Sequence, residues 1–353
     1  MENKITYHEQ NDIDNVLKLR EVLKTLPPFC RDYFRAIDAT TTTKTRISYA
    51  YDIRIFFQFL LDQNPMFKDK TMKDFTVDVL DQIKAVDLEE YEEYLKVYKS
   101  ADSSKTETNG ERGVKRKISA LRSFYAYYYR HEMITTNPSV LIDVPKIHDK
   151  NIIRLDTDEV AMLLDYIEHC GDTLTGQKRM YHEKTKDRDL AIVTLLLGTG
   201  IRVSECVGLD VEDVDFKNNG IKVTRKGGNE MVVYFGPEVE KALKKYLEVR
   251  ENITPLAGHE HALFYSTQRR RIGVQAIENL VKKYAREITT TKKITPHKLR
   301  STYGTALYQE TGDIYLVADV LGHKDVNTTK KHYAALDDAR RRQAAKAVRL
   351  RED

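Results

Sequence analysis

A single change of hydrophobic period separates one short stretch of this chain from everything around it. From Asp213 to Phe235 apolar residues alternate, and the turn sequences Asn218–Gly220 and Gly227–Asn229 divide the stretch into three short runs. Alternation is the period of a strand, and Asn-Gly and Gly-Gly steps favour hairpin turns. Elsewhere apolar residues recur at helical spacing. The pattern predicts a mainly α-helical protein with a small three-stranded antiparallel sheet.

The first part of the chain is predicted to be an all-helical domain at residues 1–147. Its predicted helices are Ile13–Leu26, a short one through Tyr33 and Ile37, one from the Thr40–Thr43 caps to about Leu61, Thr76–Ile83, Leu88 to about Ser100, and Arg112–His131. The polar stretch Ser100–Gly110 is predicted as a loop. The Pro-containing stretch Asn137–Asn151 is typical of a linker.

A second domain is predicted at residues 148–335, followed by a basic helix at 336–353. Its predicted helices are Thr157–His169, Asp187–Leu197, one beginning near Val203, Pro237–Arg250, Gly273–Ile288, His297–Glu310, Ile314–Leu321 and Thr328–Tyr333, with Leu336–Leu350 as the final helix. The stretch Gly171–Lys186 is polar and contains two glycines, so it is predicted to be an exposed loop.

Charge is informative through its distribution. The 353 residues carry a net charge of only +4. Basic side chains nevertheless cluster at Lys115–Lys117, Arg269–Arg271 and Arg340–Arg351. Each cluster could be a solvated helix face, but repeated clusters favour a polyanionic partner, because cations near phosphates release condensed counterions.

Several classes of protein are disfavoured. Met1–Glu9 has no apolar signal-peptide core, and no apolar run approaches a membrane span. The cysteines, Cys30, Cys170 and Cys206, are far apart, which favours reduced thiols in the cytoplasm. There is no P-loop, dinucleotide fingerprint, Cys/His quartet or tight carboxylate cluster. We therefore expect a cytoplasmic protein without metal or cofactor.

The residues suited to phosphate chemistry are cations. Arg202 follows a glycine turn at a predicted helix start, where a guanidinium and backbone amides can converge on a phosphate. Glu205 lies three residues further and could orient Arg202, although the two could equally form a surface ion pair. Lys226 occupies the hairpin tip, where lysine is most often only solvated but could donate a proton to a substrate oxygen.

Two histidines, an arginine and a tyrosine follow. His297 and Arg300 share one helix face. His323 follows in Leu-Gly-His, and Tyr333 comes ten positions later. Each is weak evidence by itself, since a lone histidine is more often structural than catalytic.

Taken in order, these residues resemble the tyrosine recombinase family, which includes phage integrases and Xer recombinases. The family's six catalytic positions are matched by Arg202, Lys226, His297, Arg300, His323 and Tyr333, and the strings Thr-Gly-Ile-Arg-x-Ser-Glu and His-x-Leu-Arg-x-Thr agree as well. The resemblance covers about Asn151–Ala335 clearly and the first domain by type only. The chain is most similar to Xer recombinases of the single-recombinase XerS kind. Integrases of transposons or phages remain an alternative.

The resemblance implies a reaction without ATP. Arg202 and Arg300 would clamp the scissile phosphate, and Tyr333 would attack it to form a 3′-phosphotyrosine. The resemblance implies supporting roles for the other residues. His297 would help to remove the tyrosine proton, Lys226 would protonate the leaving 5′-oxygen, and His323 would position the phosphate. Glu205 would support Arg202.

The resemblance also implies the partners. The first domain would be a core-binding (SAM-like) domain that clamps double-stranded DNA, with Lys44, Arg46, Lys115 and Arg116 as contacts. The protein would form a dimer on one site and a tetramer on two, with the helix 336–353 docking onto a neighbouring protomer. The alternatives are a type IB topoisomerase or a DNA-binding protein without catalysis.

Overall fold

A computed structural model of the chain describes residues 6–99, 105–148, 152–225, 228–323 and 325–326. Its Cα positions divide the chain into two units, Met1–Asp149 and Lys150–Asp353. The described residues are mainly helical with two small antiparallel sheets, which confirms the predicted fold class. The helices predicted at Thr328–Tyr333 and Leu336–Leu350 lie outside the described residues.

The first unit is a helical bundle around an aromatic core. Its elements are α1 (Tyr7–Leu23), α2 (Cys30–Ala36), α3 (Thr43–Gln63), α4 (Val79–Gln82), α5 (Ala85–Lys96), β1 (Val97–Lys99), β2 (Thr106–Thr108) and α6 (Glu111–Arg130). Phe57 of α3 and Phe124 and Tyr128 of α6 are all buried, and their rings meet edge to face. Such pairs add to the stabilisation that burial already gives. The tyrosines of α6 therefore contribute mainly to packing, as predicted, although Tyr129 is exposed.

Three boundaries in the first unit differ from prediction. The helix predicted from Ile13 begins at Tyr7, because Thr6 and Glu9 form a capping box with hydrogen bonds of 3.2 and 2.7 Å. The helix predicted over Thr76–Ile83 is only the short α4. The helix predicted to reach Ser100 ends at Lys96, because Val97–Lys99 pairs with Thr106–Thr108 in a hairpin that the loop prediction for Ser100–Gly110 missed.

The second unit combines helices with the predicted sheet. Its elements are α7 (Thr157–His169), α8 (Gly176–Thr199), α9 (Val203–Gly208), β3 (Val214–Asp215), β4 (Gly220–Thr224), β5 (Glu230–Tyr234), α10 (Pro237–Glu251), α11 (Val274–Ile288), α12 (Pro296–Thr311) and α13 (Ile314–Leu321). The strands run in the order β3-β4-β5, all antiparallel, with Ile221 opposite Val233. Ile221 and Val233 are buried, so one face of the sheet joins the core.

The predicted loop Gly171–Lys186 is wrong for most of its length. Helix α8 begins at Gly176 and continues without a break into the apolar segment that ends at Thr199. His182 and Thr185 of the polar stretch are buried, and the His182 imidazole lies 3.0 Å from the Ile167 carbonyl. This part of α8 buries one face although its residues are polar, so its composition alone did not indicate a helix.

No helix among the described residues has both the length and the apolar character needed to cross a membrane. Cys30, Cys170 and Cys206 are buried free thiols.

A candidate active site at the end of a helix

Arg300 links two turns of the second unit. It lies on α12, is only 4% exposed, and its guanidinium donates to the carbonyl oxygens of Gly200 and Leu321. Gly200 ends α8 and Leu321 ends α13. One buried side chain therefore holds the ends of two helices together. His297, one turn earlier on α12, is exposed.

Arg202 reaches the same place from α9. Its main-chain N–H and its Nη1 both donate to the Glu205 carboxylate at 2.7 Å, and its Nη2 lies 3.4 Å from the Gly322 carbonyl oxygen. Glu205 is 4% exposed, so this carboxylate caps α9 and orients the guanidinium at once. The predicted orienting role of Glu205 agrees with this geometry. The Arg202 side chain keeps about a third of its surface exposed, at 37%.

The glycine turn before Arg202 is required by its conformation. Gly200 has φ 63°, in the left-handed region, and a Cβ there would lie 2.4 Å from Cδ1 of Tyr303. Any other residue would strain the turn and displace Tyr303. The turn thereby presents the Gly200 carbonyl to Arg300 and leads directly into Arg202.

The end of α13 is closed by a Schellman motif. The Gly322 N–H donates to Asp319 at 2.7 Å, and the His323 N–H donates to Ala318 at 2.9 Å. Gly322 has φ 60°. His323, which is half-buried, therefore follows directly on the residue whose carbonyl Arg202 approaches.

A third guanidinium, of Arg225, joins this cluster and was missed by the sequence reasoning. Its Nη2 donates to the Val320 carbonyl at 2.7 Å, and its Nη1 lies 3.5 Å from the Asp319 carbonyl oxygen. Burial lowers the pKa of Arg225; the Glu205 carboxylate opposes this shift and the Arg202 charge adds to it. In the sequence, the only feature that could have pointed to Arg225 was its position directly before Lys226.

The structure thus brings Arg202, Arg225 and Arg300 to the carboxyl end of α13, with His323 next along the chain. The carboxyl end of a helix carries partial negative charge, which favours cations there. A guanidinium has five N–H donors in a planar group, so hydrogen bonds to neighbouring carbonyls fix both its position and its direction. Lys226 and Tyr333 lie outside the described residues.

The residues predicted to contact DNA in the first unit divide into two kinds. Lys44 and Lys115 are exposed. Arg46 is mostly buried and forms an ion pair with Asp38 at 2.6 Å. Arg116 is also exposed, but it donates with both terminal nitrogens to the carboxylate of Asp52, one of them at 2.8 Å.

The Asp52 carboxylate is buried beneath two cations. It is 2% exposed, and Lys117 lies 4.0 Å away while donating to the Asn109 side chain. Burial raises the pKa of Asp52 to about 6, against the opposing charges of Arg116 and Lys117. Arg116 therefore joins α3 to α6 within the first unit.

Comparison with known proteins identifies the family to which the chain belongs. The sequence model described as phage integrase family matches residues 154–340. Tyrosine recombinase XerS of Lactococcus lactis subsp. cremoris (strain MG1363) is 31% identical over 339 residues, covering 90% of this chain and 93% of that protein. Tyrosine recombinase XerC of Caldanaerobacter subterraneus subsp. tengcongensis is 32% identical over 340 residues, covering 93% and 88%. The chain belongs to the phage integrase family and is a site-specific tyrosine recombinase.

Solved structures show the same fold. XerH site-specific recombinase bound to palindromic difH substrate, in a post-cleavage complex, superposes with a TM-score of 0.65 at 19% identity, covering 98% of this chain and 90% of that one. The Tn1549 transposon integrase in complex with circular intermediate DNA gives 0.62 at 20% identity, covering 91% and 99%.

Proposed function

We propose that this recombinase cuts and rejoins double-stranded DNA through Tyr333. The observation that carries the proposal is the convergence of Arg202 and Arg300, 98 positions apart in the sequence, on adjacent carbonyls at the end of α13. Two guanidinium groups held so close together suit the non-bridging oxygens of one phosphate. They offset the charge that builds as phosphorus becomes five-coordinate.

The proposed reaction conserves the number of phosphate ester bonds. The Tyr333 oxygen bonds to phosphorus, the bond from phosphorus to the 5′-oxygen breaks, and Lys226 gives that oxygen a proton. A 5′-hydroxyl of a partner strand then attacks the 3′-phosphotyrosine and releases the tyrosine. Since each step exchanges one phosphate ester for another, no nucleotide hydrolysis is needed.

The tyrosine needs assistance, because its pKa of about 10 leaves it protonated near neutral pH. His297 is the proposed acceptor of its proton. Its exposure on α12, one turn from the buried Arg300, suits a group that must reach substrate. His323 contributes a hydrogen bond to the phosphate, and Glu205 keeps Arg202 in place.

The proposed partners are a DNA recombination site and further copies of this chain. Lys44 and Lys115 supply exposed cations for the phosphate backbone in the first unit. Two protomers on each of two sites form a tetramer, which exchanges one pair of strands, passes through a Holliday junction and exchanges the other. The helix 336–353 docks onto the neighbouring protomer. The enzyme acts on DNA in the cytoplasm.

For the cellular role we propose resolution of chromosome dimers, supported by the extent of similarity to XerS and XerC proteins. The test traps the protein covalently on fragmented genomic DNA of its own source. After a denaturing wash, the DNA attached to wild-type protein is sequenced, with Tyr333→Phe as the matched control.

The proposal expects one chromosomal locus with inverted half-sites, enriched in the wild type alone. Enrichment of the two ends of a mobile element would instead assign the protein to transposon or phage recombination. Relaxation of a supercoiled plasmid without any recombination site would favour a type IB topoisomerase.

A further inference from the structure

The arginine missed by the sequence reasoning closes the hairpin that bears Lys226. The ladder between β4 and β5 ends with Thr224 opposite Glu230. Beyond it, the Arg225 N–H donates to the Asn229 carbonyl at 2.7 Å, and its own carbonyl accepts from Gly228 at 3.0 Å. Arg225 is therefore the last position fixed by main-chain pairing before the hairpin tip, and Lys226 is the next residue.

The Arg225 side chain attaches this same point to a distant element. Its guanidinium donates to Val320 and approaches Asp319, 95 and 94 residues further along the chain. Contact with α13 is close: a Cβ at position 322 would lie 1.5 Å from Nη1 of Arg225. Gly322 thus suits the left-handed φ of this turn, and a side chain at this position would displace the end of Arg225.

Stability alone explains this arrangement poorly. Arg225 is partly buried beside the Arg202 guanidinium, and the Glu205 carboxylate compensates this cost only in part, because desolvation still lowers the pKa of Arg225. Within the described part of the chain, the hydrogen-bond partners of Arg225 are main-chain carbonyls, and its Nε is buried without an acceptor. An apolar side chain could pack here without that cost, so the arginine is better explained by what it holds in place.

We propose that Arg225 is a positioning residue that anchors the hairpin to the end of α13 and so places Lys226 beside the leaving 5′-oxygen. This inference rests on the proposed function, in which Lys226 is the proton donor. Arg225 itself touches no reacting atom. It acts by keeping the proton donor in register with Arg202, which approaches the Gly322 carbonyl, and with His323, the next residue.

The experiment compares two suicide duplexes that differ by one atom. One carries the normal 5′-oxygen at the scissile bond and the other a 5′-bridging sulfur. A thiol has a pKa of about 8.5, so a thiolate leaves without being protonated. A variant that has lost only proton donation is therefore slow on oxygen and restored on sulfur.

The variants are Arg225→Ala, Arg225→Lys, Lys226→Ala and, as a matched control, Arg250→Ala. Arg250 also donates to main-chain carbonyls, those of Glu260 and Ala262 at 2.7 and 2.9 Å, but caps a different loop. Single-turnover cleavage is measured for each variant on both duplexes, and thermal unfolding reports any loss of stability.

We expect Arg225→Ala to slow cleavage of the oxygen duplex by about 100-fold, a loss typical of a catalytic group misplaced by about 1 Å. The sulfur duplex should return it to near the wild-type rate. Arg225→Lys, which keeps the charge but not the paired donors, should show a smaller loss relieved in the same way. Arg250→Ala should keep the wild-type ratio of the two rates, even where it lowers the unfolding temperature.

The outcomes distinguish failure of the positioning role of Arg225 from failure of the proposed function. If sulfur restores Lys226→Ala but neither Arg225 variant, Arg225 does not position the proton donor and the inference is wrong. If sulfur fails to restore Lys226→Ala, the assignment of Lys226 in the proposed function falls, and this inference with it. If wild type forms no adduct on either duplex, the proposed reaction itself is refuted.

Discussion

Main-chain carbonyls hold two of the three guanidinium groups of this site, those of Arg225 and Arg300, in place. The guanidinium groups of Arg225 and Arg300 donate to four carbonyls between them, and three of these belong to the last turn of α13. A carbonyl fixes direction without cancelling the full positive charge, as a carboxylate would. Positive potential at the site is therefore retained, and the proposed binding of a phosphate would need little reorganisation of the donors.

A buried acid in the first unit gives a prediction about pH. The folded pKa of Asp52 is raised to about 6, whereas in the unfolded chain it returns to about 3.9. Between these values the folded protein holds a proton that the unfolded chain lacks. This group therefore stabilises the fold at low pH and loses that contribution as pH rises to about 6.

We expect the free energy of unfolding of wild type, minus that of Asp52→Asn, to fall as pH rises from 4 to 6. This difference is measured by urea unfolding at constant ionic strength, with the helix signal followed by circular dichroism. A difference that increases over this window would mean that the ion pair with Arg116 dominates over burial.

At the residue scale, the sequence predicted which residues belong to the site better than it predicted which groups those residues bind. The order of the cations and their neighbouring strings picked out Arg202, Glu205 and Arg300, which the structure brings to one place. It could not show that Arg116 binds Asp52, because the two lie 64 positions apart and only packing brings them together. Arg225 was missed for the same reason, since its partners lie on α13.

At the scale of elements, the site depends on the turn that joins α8 to α9. Gly200 supplies both the left-handed conformation and the carbonyl that accepts from Arg300. Replacing Gly200 would change the angle between α8 and α9, and with it the positions of the Arg202 and Arg300 guanidinium groups. The meeting of the two helices and the position of Arg300 thus depend on one residue.

Gly200→Ala is expected to lower the free energy of unfolding by about 2 to 5 kcal/mol, which sums left-handed strain and the clash with Tyr303. Cleavage should fall as well, because strain in the turn displaces the main-chain carbonyl that accepts from Arg300. The control is Gly236→Ala, where φ is −87° and no atom lies within 4 Å of the added Cβ, so the cost should stay under about 1 kcal/mol. Urea unfolding measures both. Equal losses in the two variants would contradict this account of the turn.

Strong periodicity predicted elements well, whereas polar composition did not. The hairpin of β4 and β5 followed from alternation and turn residues, and α11 and α13 from helical spacing. The polar start of α8 was predicted as a loop because its two buried residues, His182 and Thr185, are not apolar. The hairpin of β1 and β2 was missed because its strands have only three residues each and mostly exposed side chains.

At the scale of the whole molecule, the proposed exchange of strands requires copies of this chain to act together. One protomer has one set of catalytic groups, whereas exchange of strands between two duplexes needs four. The segment 336–353, which the sequence predicts to be helical, carries arginines together with apolar residues such as Val348 and Leu350. Such an amphipathic segment suits docking onto another protomer.

Truncation after Ala335 should therefore leave binding to a single site and weaken assembly of two sites. Gel mobility on one-site DNA measures the first, and sedimentation of the protein with two-site DNA measures the second. Tetramers that form equally well without the last 18 residues would remove this segment from the assembly.

The central claim is that Tyr333 attacks a DNA phosphate. The most direct measurement incubates the protein with a nicked suicide duplex that carries its site and separates the products on a denaturing gel. Wild type should form a covalent protein–DNA adduct attached through the 3′-phosphate. Tyr333→Phe should bind the same duplex and form no adduct, and an adduct that persists in Tyr333→Phe would contradict the account.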